Sequence, residues 1–529
     1  MDTPNLVLTG FMGTGKTSVG RIVAERLGRP FVDMDAMIEE RAGKSVARIF
    51  AEQGEATFRR MEAELCEALG RQQGLVIATG GGALVDPVNR ATLARSSTLI
   101  CLNAPVDEIL DRVGEAGDRP LLSGANPRAD AARLLSARRD AYAAIPWQVD
   151  TMGRGASELA DQVVRLATVR TLRVPHLSGQ YDVHVGDGIL ELLGGRVRAA
   201  GILEQALVAV VSNTAVAPLY AEAVVESLEQ RGYGTFVVEI PDGEAYKTLE
   251  TVHALYDAFL HHDLDRDGVV LALGGGVVGD IAGFAAATYM RGVRFIQVPT
   301  TLLAMTDASV GGKTGVDLPQ GKNLVGAFKQ PELAFIDLAV LGTLPEAELR
   351  SGLAEVIKHG VIADPDLFED LAAALDSDAL AITTDLLARS IAVKIDIVKQ
   401  DPHERGLRAV LNLGHTVGHA LEWLSGYEMR HGEAVAIGMV AAARIAEGLG
   451  RARPGLGDRL STILGSAGLT ANCPARPARE IWNAMRHDKK RHGQRLRWIL
   501  PVRVGEVQIA ENVPEELVLS TLIEMGAKT

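Results

Sequence analysis

The sequence predicts an α/β protein in three parts: a parallel-sheet domain over residues 1–168, a second, Rossmann-like α/β domain over 172–344, and a mostly α-helical domain over 345–529. Three observations carry this. A short apolar strand, Asn5–Leu8, runs into GFMGTGKT (Gly10–Thr17) and then into apolar residues at helical spacing. From Ala206 strand and helix patterns alternate, with GGGVVGD following the apolar run Val269–Leu273. From Pro345 helix patterns dominate, and there His415, His419 and His431, three of the chain's 12 histidines, share a single short stretch.

Composition narrows the function classes. A length of 529 residues suits three or four units of ~150 residues each. With 47% hydrophobic and 23% charged residues the chain reads as an ordinary soluble globular protein. The net charge of −13 (54 basic against 67 acidic residues) argues against nucleic acid or an anionic membrane as partner. Anionic small molecules would then need local Lys/Arg clusters. Cys66, Cys101 and Cys473 form no CxxC pair or disulfide framework, which fits a reducing cytoplasm. The start MDTPNLVLTG lacks a basic, apolar leader, and the apolar run Ala434–Ala443 is too short to span a bilayer. The expectation is a cytoplasmic protein acting on small molecules.

In the first part, Gly10–Thr17 meets every fixed position of G-x-x-x-x-G-K-[ST], and Val19, Ile22, Val23 and Leu27 continue it as a helix. Gly13, Thr14, Gly15 and Ser18 offer backbone N–H groups to phosphates, Lys16 reaches the outer phosphates, and the Thr17 hydroxyl suits Mg²⁺. The segment binds a nucleoside triphosphate. The strand Thr98–Leu102 ends at Asn103 without the usual carboxylate, so Asp33 and Asp35, after the strand Phe31–Val32, are the alternatives. Arg59, the triglycine Gly80–Gly82 after Leu75–Thr79, Arg119 in DRPLL, and Arg138 with Tyr142 add a clamp for a small anion.

GFMGTGKT, DMD, FR, TGGG, RPLL and LLSARRDAY, in that order, resemble shikimate kinase over essentially the whole segment. The resemblance implies ATP and Mg²⁺, with shikimate held by Asp35, Arg59, Gly80, Gly81, Gly82 and Arg138. Asp35 would contact the accepting hydroxyl and act as its base, Asp33 would organise the Mg²⁺ shell, and Arg119 would descend from a lid near Ser123–Pro127. Gluconate kinase and similar enzymes share the P-loop but not this Arg/Gly set.

Ser157–Ala167 reads as a last amphipathic helix, and the pattern changes near Ala167–Thr171 with no Gly/Ser linker. LRVPHLSGQYDVHVGDG reads as a β-ribbon. Ala206–Ser212, Thr235–Ile240, Val269–Leu273 and Phe295–Val298 read as strands, with helices over Ala215–Gln230 and Thr248–His261. GGGVVGD satisfies G-x-G-x-x-G at Gly274, Gly276 and Gly279, but no acidic residue lies between Ile281 and Thr306 for a ribose. PDGEAYK offers Asp242, Glu244 and Lys247 instead. Close helix–strand packing through glycine is the rival reading. Arg291, Lys313 in SVGGKTGV, and Lys322 with Asn323 in QGKNLVG place cations among glycines and threonines (Thr300, Thr301), which favours a phosphate site.

In the last part GLAEVIKHG supplies Glu355 and Lys358 on one helical face, and IAVKIDIVKQD sets Lys394 among apolar residues, where a charge needs a reason. Arg408 and Asn412 precede the histidines, and HDKKRHG adds Lys489 and Lys490. His415 and His419, four apart, share a helix face, and His431 follows a Gly-containing turn. Glu355 with His415 and His431 makes a two-His, one-carboxylate zinc site with an open position, leaving His419 for proton transfer.

GLAEVIKHG, LNLGHTVGHALE, HGEAV, GGGVVGD and SVGGKTGV together resemble 3-dehydroquinate synthase from about Leu172 onward. The resemblance implies NAD, zinc or cobalt, and a phosphorylated seven-carbon ketoacid; a homodimer through this half is a separate expectation. Metal would be held by Glu355, His415 and His431. NAD would be lined by Asp242, Gly243, Glu244, Lys247, Gly276, Val277, Val278, Gly279, Asp280, Thr300, Thr301, Lys313, Lys322 and Thr343. Substrate would meet Arg291, Asp307, Lys313, Asn323, Lys358, Lys394, Arg408, Asn412, His419 and Lys489, with Lys490 the alternative to the last. The implied chemistry is oxidation, phosphate elimination, return of the hydride, ring opening and an aldol closure. A polyol dehydrogenase of the glycerol dehydrogenase type is the enzymatic rival; a catalytically dead scaffold is the other.

Overall fold

The computed structural model of the chain describes residues 4–113, 126–377, 382–402, 406–491 and 496–529. It divides into two compact units, one of residues 1–169, 189–205 and 226–232, the other of 170–188, 206–225 and 233–529.

The first unit is built on five parallel strands: β1 (Asn5–Thr9), β2 (Phe31–Asp33), β3 (Val76–Ala78), β4 (Ser97–Asn103) and β5 (Trp147–Asp150), in the order β2-β3-β1-β4-β5. β1 is buried at every position, as a central parallel strand with helices on both faces must be. Its core includes Val7, Ile38, Phe58, Leu65, Ile77 and Leu99. The consequence for function is that Gly10, Asp33 and Thr79 all emerge at the carboxyl edge of neighbouring strands, where open α/β sheets bind ligands.

The second unit holds a seven-stranded sheet of β6 (Arg170–His176), β7 (Gly179–Gly186), β8 (Leu207–Asn213), β9 (Gly234–Ile240), β10 (Val269–Gly274), β11 (Arg294–Pro299) and β14 (Leu333–Asp337). The order is β6-β7-β14-β11-β10-β8-β9. β6 and β7 form the ribbon read from the sequence and pair antiparallel; the remaining pairs are parallel. Between β11 and β14 lies an antiparallel hairpin, β12 (Lys313–Leu318) with β13 (Gly321–Phe328). The sequence reads as cation-rich loops there because glycines interrupt the alternation. A β-carbon on Gly315 would stand 2.5 Å from the Val325 carbonyl, and one on Gly326 2.3 Å from that of Thr314, so the glycines are what let the two strands close.

From Glu346 the chain is mainly helical, with helices over Glu346–Ala363, Thr384–Gln400, His415–Leu424, His431–Gly448 and Ala478–Arg491. One hairpin, β15 (Arg497–Arg503) with β16 (Glu506–Glu511), interrupts them. RWILPVR is a nearly continuous apolar run, buried over Trp498–Pro501, and such a run has no period to distinguish strand from helix. The three cysteines are unpaired and buried. Among the described residues no helix is long and apolar enough to cross a membrane.

Candidate functional sites

In the first unit the loop after β1 turns through left-handed backbone at Gly13 (φ 77°) and Gly15 (φ 91°), conformations that suit glycine. The helix Lys16–Leu27 starts directly after it, so its unpaired N–H groups face the loop. Lys16 Nζ donates to the carbonyls of Gly10 (3.0 Å) and Phe11 (2.8 Å), and Thr14 Oγ1 also donates to Phe11 (2.8 Å). Thr17 donates its hydroxyl to Asp33 Oδ2 at 2.8 Å, while Asp33 Oδ1 caps the helix Met34–Ala42 by accepting from Asp35 N and Ala36 N. Ser18 follows, exposed in the first turn. A hydroxyl fixed on a carboxylate beside a ring of N–H donors is a donor set that fits a Mg²⁺-bound triphosphate.

The triglycine completes this site. A β-carbon on Gly80 would lie 2.6 Å from Asp35 Oδ1 and 2.7 Å from Glu62 Oε1, and one on Gly82 2.1 Å from Arg59 Nη1. A side chain at either glycine would push these groups aside. Arg138 Nη1 and the Tyr142 hydroxyl both donate to the Gly81 carbonyl, at 3.1 and 2.5 Å. Arg59 is held by Glu62 (2.5 Å) and Glu55 (2.9 Å). Glu62 escapes a sequence reading of this loop, though it lies three residues after Arg59 on one helix face. Its side chain is 1% exposed, and burial pushes its carboxyl up to about 6 against the pull of Arg59. Arg119 and most of the Ser123–Pro127 segment lie outside the described residues.

In the second unit β10 ends at Gly274, and Gly275 opens the helix Gly276–Thr288. Gly274, Gly275, Gly276 and Gly279 line a small cavity with Pro299, Ala304 and Ala308. Val278 is packed in the core, so it and Val277 face this cavity through backbone at most. Thr300 Oγ1 is buried without a hydrogen-bond partner, a group a ligand would satisfy. Thr301 Oγ1 accepts from Ala304 N at 3.1 Å. At the end of β9, Asp242 accepts from Asn213 Nδ2 at 2.5 Å, past which Gly243 turns at φ 110°. Glu244 pairs with Lys322 at 3.0 Å, and Lys247 Nζ bridges Asp280 Oδ2 and Asn323 Oδ1, each at 2.6 Å. Thr343 lies beyond β14, its hydroxyl 2.5 Å from that of Tyr220. A glycine cradle with an orphaned hydroxyl at the carboxyl edge of a parallel sheet fits a dinucleotide.

Arg291 is placed otherwise. It sits in a left-handed turn (φ 68°) before β11, at the amino edge of the sheet and a strand's length from Thr300, roughly 20 Å. Lys313 begins β12 and Asn323 sits in β13 at φ 53°.

Three close glycine contacts assemble the histidines. A β-carbon on Gly418 would be 3.2 Å from the Ala434 backbone, and one on Gly432 2.0 Å from the Ser351 carbonyl. Gly414 turns at φ 84°, and its carbonyl meets Gly438. These contacts pull the helices starting at His415 and His431 together and onto Glu346–Ala363, which carries Glu355. One nitrogen from each of His415, His419 and His431 lies within 4.8 Å of the others. His431 Nε2 is 3.6 Å from Glu355 Oε1 and its Nδ1 is 3.2 Å from Glu422 Oε1, while His415 Nδ1 lies 3.1 Å from the Leu413 carbonyl.

Glu355 is 1% exposed, and its oxygens meet the Lys358 ammonium and the His431 ring. Lys358, 2% exposed, lies against Oε2 as a charge partner. Burial would raise the Glu355 carboxyl, but Lys358, His431 and His415 hold it well below its usual range. Burial and Lys358 push His415 well down, so its ring is neutral. His431 goes the other way: against its burial, Glu355 and Glu422 raise it to about 10. A buried carboxylate held ionised beside clustered imidazoles is a donor set that fits a divalent cation. Proximity alone admits His419, the exposed member, as readily as His415.

Beside this cluster Lys394 Nζ donates to Asp307 Oδ1 (2.6 Å) and to the Asp307 carbonyl, in a π-helical turn over Ala304–Ala308. Burial lowers Lys394; Asp307, which burial would raise, is brought below its usual range by Lys394. Arg408 is buried, donates to the Pro402 carbonyl and lies against Gly311; Asn412 ends the same short turn. Lys489 and Lys490 lie on the helix Ala478–Arg491, with side chains outside the described residues.

The sequence matches the family described as shikimate kinase over residues 12–168, 3-dehydroquinate synthase N-terminal over 237–351, and 3-dehydroquinate synthase C-terminal over 352–491. It is 46% identical over 359 residues to a 3-dehydroquinate synthase of Synechocystis sp., spanning 66% of this chain and 99% of that one. Among the solved structures similar to it, two hold NAD+ with a metal ion. One is 2-deoxy-scyllo-inosose synthase complexed with carbaglucose-6-phosphate, NAD+ and Co2+ (25% identity, TM-score 0.60, 67% of this chain and 100% of that one). The other is ValA, a 2-epi-5-epi-valiolone synthase from Streptomyces hygroscopicus, with NAD+ and Zn2+ (27% identity, TM-score 0.59, 67% and 99%).

Proposed function

We propose a two-site enzyme on the premise that this chain belongs to the 3-dehydroquinate synthase family and carries a shikimate kinase domain ahead of it, a fusion of two shikimate-pathway enzymes. The N-terminal site phosphorylates the 3-hydroxyl of shikimate from ATP. The C-terminal site converts 3-deoxy-D-arabino-heptulosonate 7-phosphate to 3-dehydroquinate and phosphate. The domains run over 1–168, 172–344 and 345–529, in a cytoplasmic protein.

At the kinase site Lys16 and the N–H groups of Gly13–Ser18 hold the phosphates, while Thr17 and Asp33 hold Mg²⁺. Arg59 and Arg138 take the shikimate carboxylate as paired forks. Asp35 orients the accepting hydroxyl and takes its proton, and Arg119 covers the phosphates.

At the synthase site Glu355, His415 and His431 hold zinc or cobalt, and the edge from Asp242 to Thr300 holds NAD. When bound, NAD exchanges a hydride and the cation polarises substrate hydroxyls. The remaining work falls to the chain. Lys313, Asn323, Lys358, Lys394, Arg408, Asn412 and Lys489 bind and orient the polyanion, with Asp307 fixing Lys394. His419, exposed at the cluster's rim, moves the proton. Arg291, at the opposite edge of the sheet, takes no part in this site, and the chain pairs as a homodimer through this half.

The observation that supports the synthase reading is the pair of buried lysines, Lys358 against Glu355 and Lys394 against Asp307, set beside the three histidines: so much charge withheld from water suits a polyanion, and a simple polyol needs none of it. Metal analysis of the purified chain together with assays on both substrates tests it. Activity on only one of them would remove the other half of the proposal.

A further inference from the structure

Glu422 closes the LNLGHTVGHALE stretch without being given a role there, and it stands on the same helix face as two of the histidines. His415, His419 and Glu422 are spaced i, i+4 and i+7 along His415–Leu424. Its side chain is 12% exposed, and Oε1 lies 3.2 Å from His431 Nδ1. The other nitrogen of that ring, Nε2, is turned to Glu355 Oε1 at 3.6 Å. His431 is thus held between two carboxylates, one at each nitrogen.

We infer that Glu422 is a positioning residue: it accepts the Nδ1 proton of His431, fixing the tautomer and the ring plane so that Nε2 is presented to a divalent cation shared with Glu355. An ionised carboxylate can only accept, so a hydrogen bond at this distance places the proton on Nδ1. His415 supports the same logic by a different route, its Nδ1 lying 3.1 Å from the Leu413 carbonyl, so both rings keep Nε2 for the cation. Outer partners of this kind orient metal-binding imidazoles and raise their basicity. The loop between the helices gives Glu422 its reason. His431 is the first residue of its helix, so no preceding turn of that helix packs its ring.

This inference rests on the metal reading above, and its test separates the two. Metal-free full-length chain is titrated with Zn²⁺ alone by calorimetry, and with Co²⁺ while its visible absorption is followed. Wild type, His431→Ala, Glu422→Ala and Glu422→Gln are compared. The expected result is a loss of about 10–100-fold in Zn²⁺ affinity for Glu422→Ala, with altered Co²⁺ bands. Glu422→Gln, which still offers an oxygen to the Nδ1 proton, should recover most of the affinity and the wild-type bands. Unchanged affinity and spectrum in Glu422→Ala would overturn the inference while leaving the metal reading intact, provided His431→Ala binds weakly. Equal losses in the Ala and Gln variants would also overturn it, because charge and not orientation would then be the contribution. A wild-type chain that takes up no Zn²⁺ would overturn the metal reading and this inference with it.

Discussion

The carbonyl oxygen of Gly414 would stand 1.9 Å from a β-carbon on Gly438. These two glycines therefore set how closely the helices bearing His415 and His431 approach, although neither touches a ligand. Gly438→Ala should force the helices apart. Overpacking of this sort costs about 1–3 kcal/mol, and the zinc content of the variant should fall with its stability. Thermal unfolding and metal analysis on the same preparation check this; a variant with full zinc content would remove the glycines from the account of the site.

The P-loop cluster lies in one unit and the histidine cluster in the other. Lys16→Ala should lower shikimate phosphorylation by at least about 10²-fold, as loss of a transition-state charge partner does, and leave dehydroquinate formation unchanged. His415→Ala should do the reverse. Loss of both activities from either substitution, in a protein that still folds, would contradict two independent sites.

Borrowed hydride has a stoichiometric signature. With the heptulosonate phosphate as substrate, steady turnover should release phosphate while absorbance of reduced nicotinamide stays flat, and catalytic NAD should sustain many turnovers. One NADH per product without phosphate would establish the dehydrogenase rival.

Glu62 gives the kinase unit a pH signature. Its carboxyl is raised from 4.5 to about 6 in the fold, so the native state binds its proton more tightly than the unfolded chain does. The associated stability is present below about pH 4.5 and is lost as the pH rises through 6, a change of about 2 kcal/mol. Glu62→Gln does not titrate, so relative to wild type it should gain by that amount between acid and neutral pH. Calorimetry of the transition that shikimate moves upward reads this directly; a difference that stays constant with pH would refute it.

Much of this was legible because the chemistry sits in contiguous motifs. Gly10–Thr17 needs only its own backbone and the strand before it, and His415 with His419 needs only a helix. Legibility fails where a residue's role is given by something distant in sequence. Glu62 and Glu422 gain their roles only when Gly80 and His431 are brought to them. Arg291 fails in the opposite sense: its loop composition suggests the phosphate site, but strand direction puts it at the other edge of the sheet. Lys313–Phe328 was hidden by its glycines, which erase the alternation that marks a strand while permitting the tight pairing that makes one.

Burial of the three cysteines has a practical consequence. Removal from water pushes the thiols of Cys66 and Cys101 up to about 12 and that of Cys473 to about 11. The thiolate is the nucleophile, so these groups are both covered and protonated at neutral pH. Peroxide and maleimide reagents should therefore pass over the native chain. A cysteine introduced on an exposed helix would be its one reactive handle, and a dye or spin label could be attached there without first deleting the natural three.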